Sequence, residues 1–143
     1  MVKLLYNLLR LLRPRQWVKN FAVFGAIVFS GELFNIDPLT KAFLGFVVFC
    51  GLSSATYIIN DIFDAKRDRL HPFKKFRPIA HGDIPVSLAI IIAFFLITAS
   101  LTLALFITPA FFAAVSVYII LQFLYSKVLK TITVIDILTI AAG

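Results

Sequence analysis

Four stretches of the chain are apolar almost without interruption, from about Trp17 to Phe34, Leu39 to Ile59, Ile84 to Ile107 and Pro109 to Tyr125. A bilayer core of ~30 Å takes ~20 helical residues to cross, and each run reaches or approaches that length. Lys19 and Asn20 sit near the start of the first run, Lys41 is the only charge in the second, and the last two carry none. The runs lack the period-2 alternation of barrel strands. The pattern therefore predicts an all-α, polytopic transmembrane helical bundle. Asn35, Asp37 and Pro38 break the chain between the first two runs. Gly82, Asp83 and Pro85 read as a loop end, a cap and an early helical proline for the third. Thr108-Pro109 leaves so short a connection that the third and fourth helices should form an antiparallel hairpin.

The two ends read differently. Within residues 1–16, Lys3, Asn7, Arg10 and Arg13 recur at helical spacing opposite a Leu-rich face, as in an amphipathic helix lying at a membrane surface. No small-residue cleavage site follows it. At the other end, Thr131–Gly143 turns apolar again around Asp136, which reads as the start of a fifth span. A helix stopping in hydrocarbon would leave its last carbonyls unsatisfied. The expectation is that residues 1–143 are the N-terminal half of one longer transmembrane domain, inactive by themselves.

Composition agrees: 61% of residues are hydrophobic and 15% charged, against about 25% charged in a soluble domain, and mean hydropathy is +0.98. Lipid is the solvent for most of the chain. Of the 14 Lys and Arg residues, all but Lys41 fall on one side of the expected spans. Positive charge is retained inside, so the amino terminus and the Asp-rich segment 60–84 are expected to be cytoplasmic in a multi-pass protein of the cell (inner or plasma) membrane. The net charge of +7 is split among membrane-edge segments, which argues against nucleic acid as a partner. Cys50 is the only cysteine and cannot form an intrachain disulfide.

Candidate chemistry is concentrated in Asn60-Asp61-Ile62-Phe63-Asp64-Ala65-Lys66-Arg67-Asp68. At ~100° per residue, Asn60, Asp64, Asp68 and Asp61 fall at about 0°, 40°, 80° and 100° of one helix face. Three carboxylates crowded at a membrane edge call for a cation. An all-oxygen set suits Mg²⁺, which keeps several waters and shares its remaining sites with phosphate oxygens. Asn60 and Asp68 are ~12 Å apart along the axis, so one ion near Asn60 and Asp64 is the easier arrangement, with Asp68 serving a second ion or a supporting role. Lys19, Lys74, Lys75, Arg77 and Lys130 could grip a diphosphate around this face. Arg10, Arg13, Arg15, Lys66 and Lys127 read instead as cations meeting lipid head groups. His71 and His81 read as plain loop histidines.

Asn60-Asp61-x-x-Asp64-x-x-x-Asp68 resembles the first Asp-rich motif of the UbiA superfamily of intramembrane prenyltransferases, and Arg77-Pro78-Ile79-Ala80-x-Gly82 is similar to a stretch of that superfamily as well. Arg13-Pro14-Arg15-Gln16-Trp17-Val18-Lys19-Asn20 and Asp68-Arg69-x-His71-Pro72-x-Lys74-x-Phe76-Arg77-Pro78 narrow the likeness to its phosphoribosyltransferase branch, which acts on a polyprenyl phosphate. The resemblance implies a nine-span bundle of about twice this length, with a second Asp-rich segment beyond Gly143. It implies Mg²⁺ on Asn60, Asp64 and Asp68, with Asp61, Asp64 and Asp68 as the catalytic carboxylates. Lys19, Tyr57, Lys74, Arg77 and Lys130 would contact phosphoribosyl diphosphate. The implied reaction moves 5-phosphoribose from phosphoribosyl diphosphate to a polyprenyl phosphate, a precursor of the arabinose donor for the cell envelope. Two alternatives stand beside it: transfer of a prenyl group from a prenyl diphosphate to an aromatic acceptor, and a non-catalytic membrane scaffold or truncated paralogue.

Overall fold

The computed structural model describes residues 2–127, so the expected fifth span and Lys130 lie outside the described residues. Every regular element among them is helical. Helix α1 (Val2–Leu12) is followed by a 3-10 stretch (Pro14–Ala22), α2 (Val23–Phe29), α3 (Ile36–Asp68), a 3-10 turn (Lys74–Phe76), α4 (Pro78–His81), α5 (Val86–Ile107) and α6 (Pro109–Lys127).

Two helices, α3 and α5, are long and apolar enough to cross a membrane, and α6 contributes a shorter apolar helix over Pro109–Leu124. At ~1.5 Å per residue the 33 residues of α3 extend ~50 Å, well past a ~30 Å hydrocarbon core. The Asp-rich end therefore rides on a rigid helical overhang. Segment 60–84, read as a loop, is helix as far as Asp68.

The first expected span is not one helix. Arg13 adopts the left-handed conformation at φ 53° and ψ 55°, and the proline after it disfavours continuing the right-handed helix. A 3-10 stretch then continues to Ala22, and only Val23–Phe29 is α-helical. Three residues per turn stack positions i and i+3 on one line, and here that line faces α3. Trp17 Nε1 donates to Ser54 Oγ at 3.0 Å, and Asn20 Nδ2 reaches Ser53 Oγ at 3.4 Å. Ser54 Oγ in turn donates to the Leu12 carbonyl at 2.7 Å, satisfying an end group of α1.

Helix α5 meets α3 through small residues. Ala89, Ala93, Ser100 and Ala104 are the buried positions of α5, while Ile90, Ile91, Phe94 and Phe95 on its outer side are exposed. Between apolar helices in lipid, close approach of small side chains supplies the packing. Gly51 lies close against α5: a Cβ there would lie 2.4 Å from Ser100 Oγ. The connection to α6 is as short as expected, and Thr108 Oγ1 accepts from Phe111 N–H at 3.1 Å as a helix cap. Asp83, expected to cap α5, does not. Pro85 holds the cap position, and Asp83 pairs with Lys3 at 3.2 Å and His81 at 3.0 Å.

Two expectations follow. Gly51→Leu should split α3 from α5, because a branched side chain cannot be absorbed by rotating the Ser100 hydroxyl. Thermal unfolding in detergent should show a loss of about 1–3 kcal/mol, while Gly25→Leu, where a Cβ meets nothing within 4 Å, should be near neutral. The hydrogen bond from Lys3 holds the Asp83 carboxyl below its ordinary range, aided by the charges of Lys3 and His81 and opposed by slight desolvation. A depressed carboxyl contributes above its unfolded pKa of ~3.9 and loses that contribution as pH falls through the lower folded value. Hydrogen-exchange protection of α1 should be flat from pH 5 to 8 and fall only in stronger acid, and Asp83→Asn should remove that step.

Candidate functional site

The last turns of α3 present Tyr57, Asn60, Asp61, Asp64 and Asp68, and the structure divides this face in two. Asp61 and Asp68, at about 100° and 80° on the helical wheel, turn inward and are 3% and 2% exposed. Each carboxylate is met by guanidinium. Arg13 Nη2 lies 2.6 Å from Asp61 Oδ1. Arg77 Nη1 bridges the two, 3.1 Å from Asp61 Oδ1 and 2.7 Å from Asp68 Oδ2. Two cations and two anions thus balance in a buried cluster, which is what tolerable burial of charge requires. The Arg13 guanidinium also lies over the Tyr57 ring, 4.8 Å from its centroid, and Tyr57 Oη is 3.5 Å from Gln16 Oε1.

Asn60 and Asp64, at about 0° and 40°, stand apart from that cluster. Asn60 Oδ1 is buried and has no hydrogen-bond partner among the described residues. Asp64 is half-buried and accepts from Arg67 at 2.9 Å. Among the described residues, no group of three or more His, Cys, Asp or Glu is placed to hold a metal ion. The wheel places four oxygens on one arc but cannot show that arginines from elsewhere in the chain take two of them.

The remaining candidates scatter. Lys19 is exposed on the 3-10 stretch, and Lys74 and Lys75 are exposed on the short 3-10 turn. The partners of Asp61 and Asp68 are arginines rather than these lysines. Arg77, expected on a diphosphate, faces Asp61 and Asp68 instead. Arg13, read as a lipid-facing cation, is the residue that sequence reasoning missed. Its signal was the proline beside it: Arg13-Pro14 forces a turn at the end of α1 that delivers the guanidinium to α3.

The segment 69–85 is tied within itself and to α1. Arg69 Nε donates to the Ala80 carbonyl at 3.3 Å, Arg10 Nη2 to the Phe76 carbonyl at 2.8 Å, and His71 Nδ1 accepts from the Phe73 and Lys74 N–H groups at 3.2 and 3.3 Å. Pro78, Ile79 and Ala80 of α4 are buried, with Ile79 in one apolar cluster with Leu11, Ile58 and Ile84.

Fold and site together define an α-helical protein built for a membrane, with a charged cap on an overhanging helix end. The model of the UbiA prenyltransferase family matches residues 20–143, and the chain belongs to that family. It is similar to the decaprenyl-phosphate phosphoribosyltransferase of Mycolicibacterium smegmatis, 40% identical over 98% of this chain and 45% of that protein. The protein of the same name from Corynebacterium glutamicum is 41% identical over 96% of this chain and 42% of its own length. A 4-hydroxybenzoate octaprenyltransferase of Legionella pneumophila (strain Paris) is 38% identical over 65% of this chain and 33% of that protein. The chain spans less than half the length of these relatives.

Removing a cation from the buried cluster strands an anion. Arg77→Ala should cost about 3 kcal/mol, the lower end for a broken buried pair because its side chain is still 27% exposed. Arg67→Ala, whose side chain is 73% exposed, should cost under about 1 kcal/mol. Thermal melts of the two variants in detergent check the contrast.

Proposed function

We propose that this chain carries the first polar half of a membrane-embedded transferase site, which moves 5-phosphoribose from phosphoribosyl diphosphate to a polyprenyl phosphate. The observation that supports it most directly is Asn60 Oδ1, a buried acceptor without a partner among the described residues, one helical turn from Asp64. A buried amide oxygen with no donor carries a desolvation cost, and a cation would relieve it. One amide oxygen and one carboxylate fit Mg²⁺, which takes few protein ligands and completes its shell with water and substrate phosphates. Asn60 and Asp64 would hold it, and when bound it would supply neutralisation of the departing diphosphate. Asp61 and Asp68 are almost fully buried against Arg13 and Arg77, whereas the partner of Asp64, Arg67, has an exposed side chain; the two buried carboxylates are left out of the metal set.

The chain's own residues contribute charge and position. Lys74 and Lys75 stand exposed on the turn beside Arg77, more positive charge than one metal-bound diphosphate needs. The surplus suits the 5-phosphate of a wholly polar donor. Lys19 on the 3-10 stretch adds a further point charge. An oxygen of the lipid phosphate attacks the anomeric carbon, the bond from that carbon to diphosphate breaks, and diphosphate leaves with the electron pair. The stem of the acceptor stays in the apolar surroundings of the helices. The choice of donor rests on the two phosphoribosyltransferases, which match this chain almost end to end, whereas the octaprenyltransferase matches about two thirds of it.

The test is carried out on the intact protein in lipid vesicles. Labelled ribose phosphate transfer to polyprenyl phosphate is run beside prenyl transfer to 4-hydroxybenzoate, and only the first should proceed. If only the second does, the aromatic-acceptor reading replaces this one; if neither does, the scaffold reading stands. Asp64→Ala and Asn60→Ala should each raise the Mg²⁺ concentration needed for half-maximal rate. Lys74→Ala should raise KM for phosphoribosyl diphosphate roughly tenfold or more, with little change for the lipid.

A further inference from the structure

The four-member cluster of Arg13, Asp61, Arg77 and Asp68 ties together segments that are far apart in sequence and carry the exposed cations. Arg13 ends α1 and opens the 3-10 stretch that bears Lys19. Asp61 and Asp68 lie two turns apart on α3. Arg77 directly follows the Lys74–Phe76 turn and caps α4 with an extended backbone, φ −63° and ψ 142°. One guanidinium nitrogen of Arg77 touches both carboxylates, so its head is fixed from two sides, and Arg13 occupies the same Asp61 Oδ1 at 2.6 Å. Arg13 is also the only non-glycine residue with positive φ among the described residues, at 53°. Such a conformation costs about 1–3 kcal/mol and persists where surrounding contacts over-determine it; here those contacts are the Asp61 pair and the Tyr57 ring.

We propose that Asp61, Asp68 and Arg13 are positioning residues: they form a buried clamp on Arg77 that sets the turn carrying Lys74 and Lys75 against the end of α3. The clamp itself stands on geometry alone. Its consequence for donor binding rests on the transferase reading above. A charge-assisted contact at 2.6–3.1 Å is short and strong, and Arg77 Nη1, shared between Asp61 Oδ1 and Asp68 Oδ2, is tethered from two points. The lysines are exposed and long, so the place of their turn, rather than their own contacts, decides where their charge sits. Loss of one carboxylate leaves Arg77 attached on one side only, and the turn gains a range of positions.

The experiment uses the intact protein in lipid vesicles and needs no substrate. Trypsin cleaves at exposed lysines, and fragment masses report cleavage after Lys74 and Lys75 against cleavage after Lys41 at the far end of α3. Asp61→Asn and Asp68→Asn should speed cleavage at Lys74 and Lys75 about tenfold, as one charge-assisted tether is lost, with Lys41 unchanged. Asp64→Asn should leave the cleavage at Lys74 and Lys75 as it is. Should a carboxylate variant also open Lys41, the fold as a whole has been lost. Arg13→Lys then decides, because it keeps the charge but not the fork, and should still free the turn.

The kinetic arm separates clamp from metal ligand. Asp61→Asn should raise donor KM roughly tenfold while the Mg²⁺ concentration for half-maximal rate stays within about twofold; Asp64→Asn should move the Mg²⁺ value instead. Unchanged cleavage at Lys74 and Lys75 in Asp61→Asn, with a shift in Mg²⁺ requirement matching that of Asp64→Asn, would overturn the clamp. Absence of phosphoribosyl transfer would remove the donor reading alone, and the cleavage pattern would still decide the clamp.

Discussion

Two carboxylates almost fully withdrawn from solvent at the end of a long apolar helix constrain the rest of this structure. A buried anion without a cation is intolerable, and the nearest cations are supplied from opposite sides, Arg13 at 2.6 Å and Arg77 at 2.7 to 3.1 Å. Meeting that demand bends the chain at Arg13 into a conformation its side chain disfavours. It also draws the segment after Arg69 back over the end of α3. The apolar cluster of Leu11, Ile58, Ile79 and Ile84 closes around the same junction, so electrostatic pairing and apolar packing fix α1 and α4 at one place.

Below the junction the helices associate by a different rule. Helix α5 buries Ala89, Ala93, Ser100 and Ala104, with Val48, Leu52 and Ile58 of α3 in the same clusters as the alanines, and leaves its large apolar side chains outside, with Phe94 and Phe106 71% and 79% exposed. That inversion of a soluble core suits a lipid surrounding, where dispersion at close approach replaces the hydrophobic drive between helices. The close contact of Gly51 with Ser100 fixes the register of α3 against α5. Register in turn decides which way Asn60 and Asp61 point one or two turns further on.

The division of the polar face of α3 bears on how the proposed chemistry is shared. A helix face crowded with oxygens reads as a single site, yet Arg13 and Arg77 take Asp61 and Asp68, and the proposed cation would fall to Asn60 and Asp64. The inward pair becomes part of the scaffold. A transferase of a wholly polar donor needs both functions at once: a small hard cation near the leaving group, and a fixed set of basic groups beyond it.

Much of this was legible in the residues themselves. Helical class, the apolar runs of α3, α5 and α6, the tight turn at Thr108-Pro109 and the amphipathic α1 follow from side-chain periodicity, proline and hydropathy, all local properties. Membership of the UbiA family was legible in the spacing of Asn60, Asp61, Asp64 and Asp68 with Arg77-Pro78. Three features were not. The run from Trp17 to Phe34 reads as a span, but contacts of Trp17 and Asn20 with Ser54 and Ser53 draw its first half into a 3-10 stretch. Asp83 reads as a helix cap, but Lys3 claims it from 80 residues away. Arg13 reads as a lipid-facing cation, but α3 presents it with Asp61. Composition and periodicity determined which segments are helical and which residues could carry charge chemistry, because those depend on a residue and its near neighbours. Tertiary structure alone decided which charges pair and which oxygen stays unsatisfied, because an ion pair depends on distance in space between residues 48 and 16 positions apart.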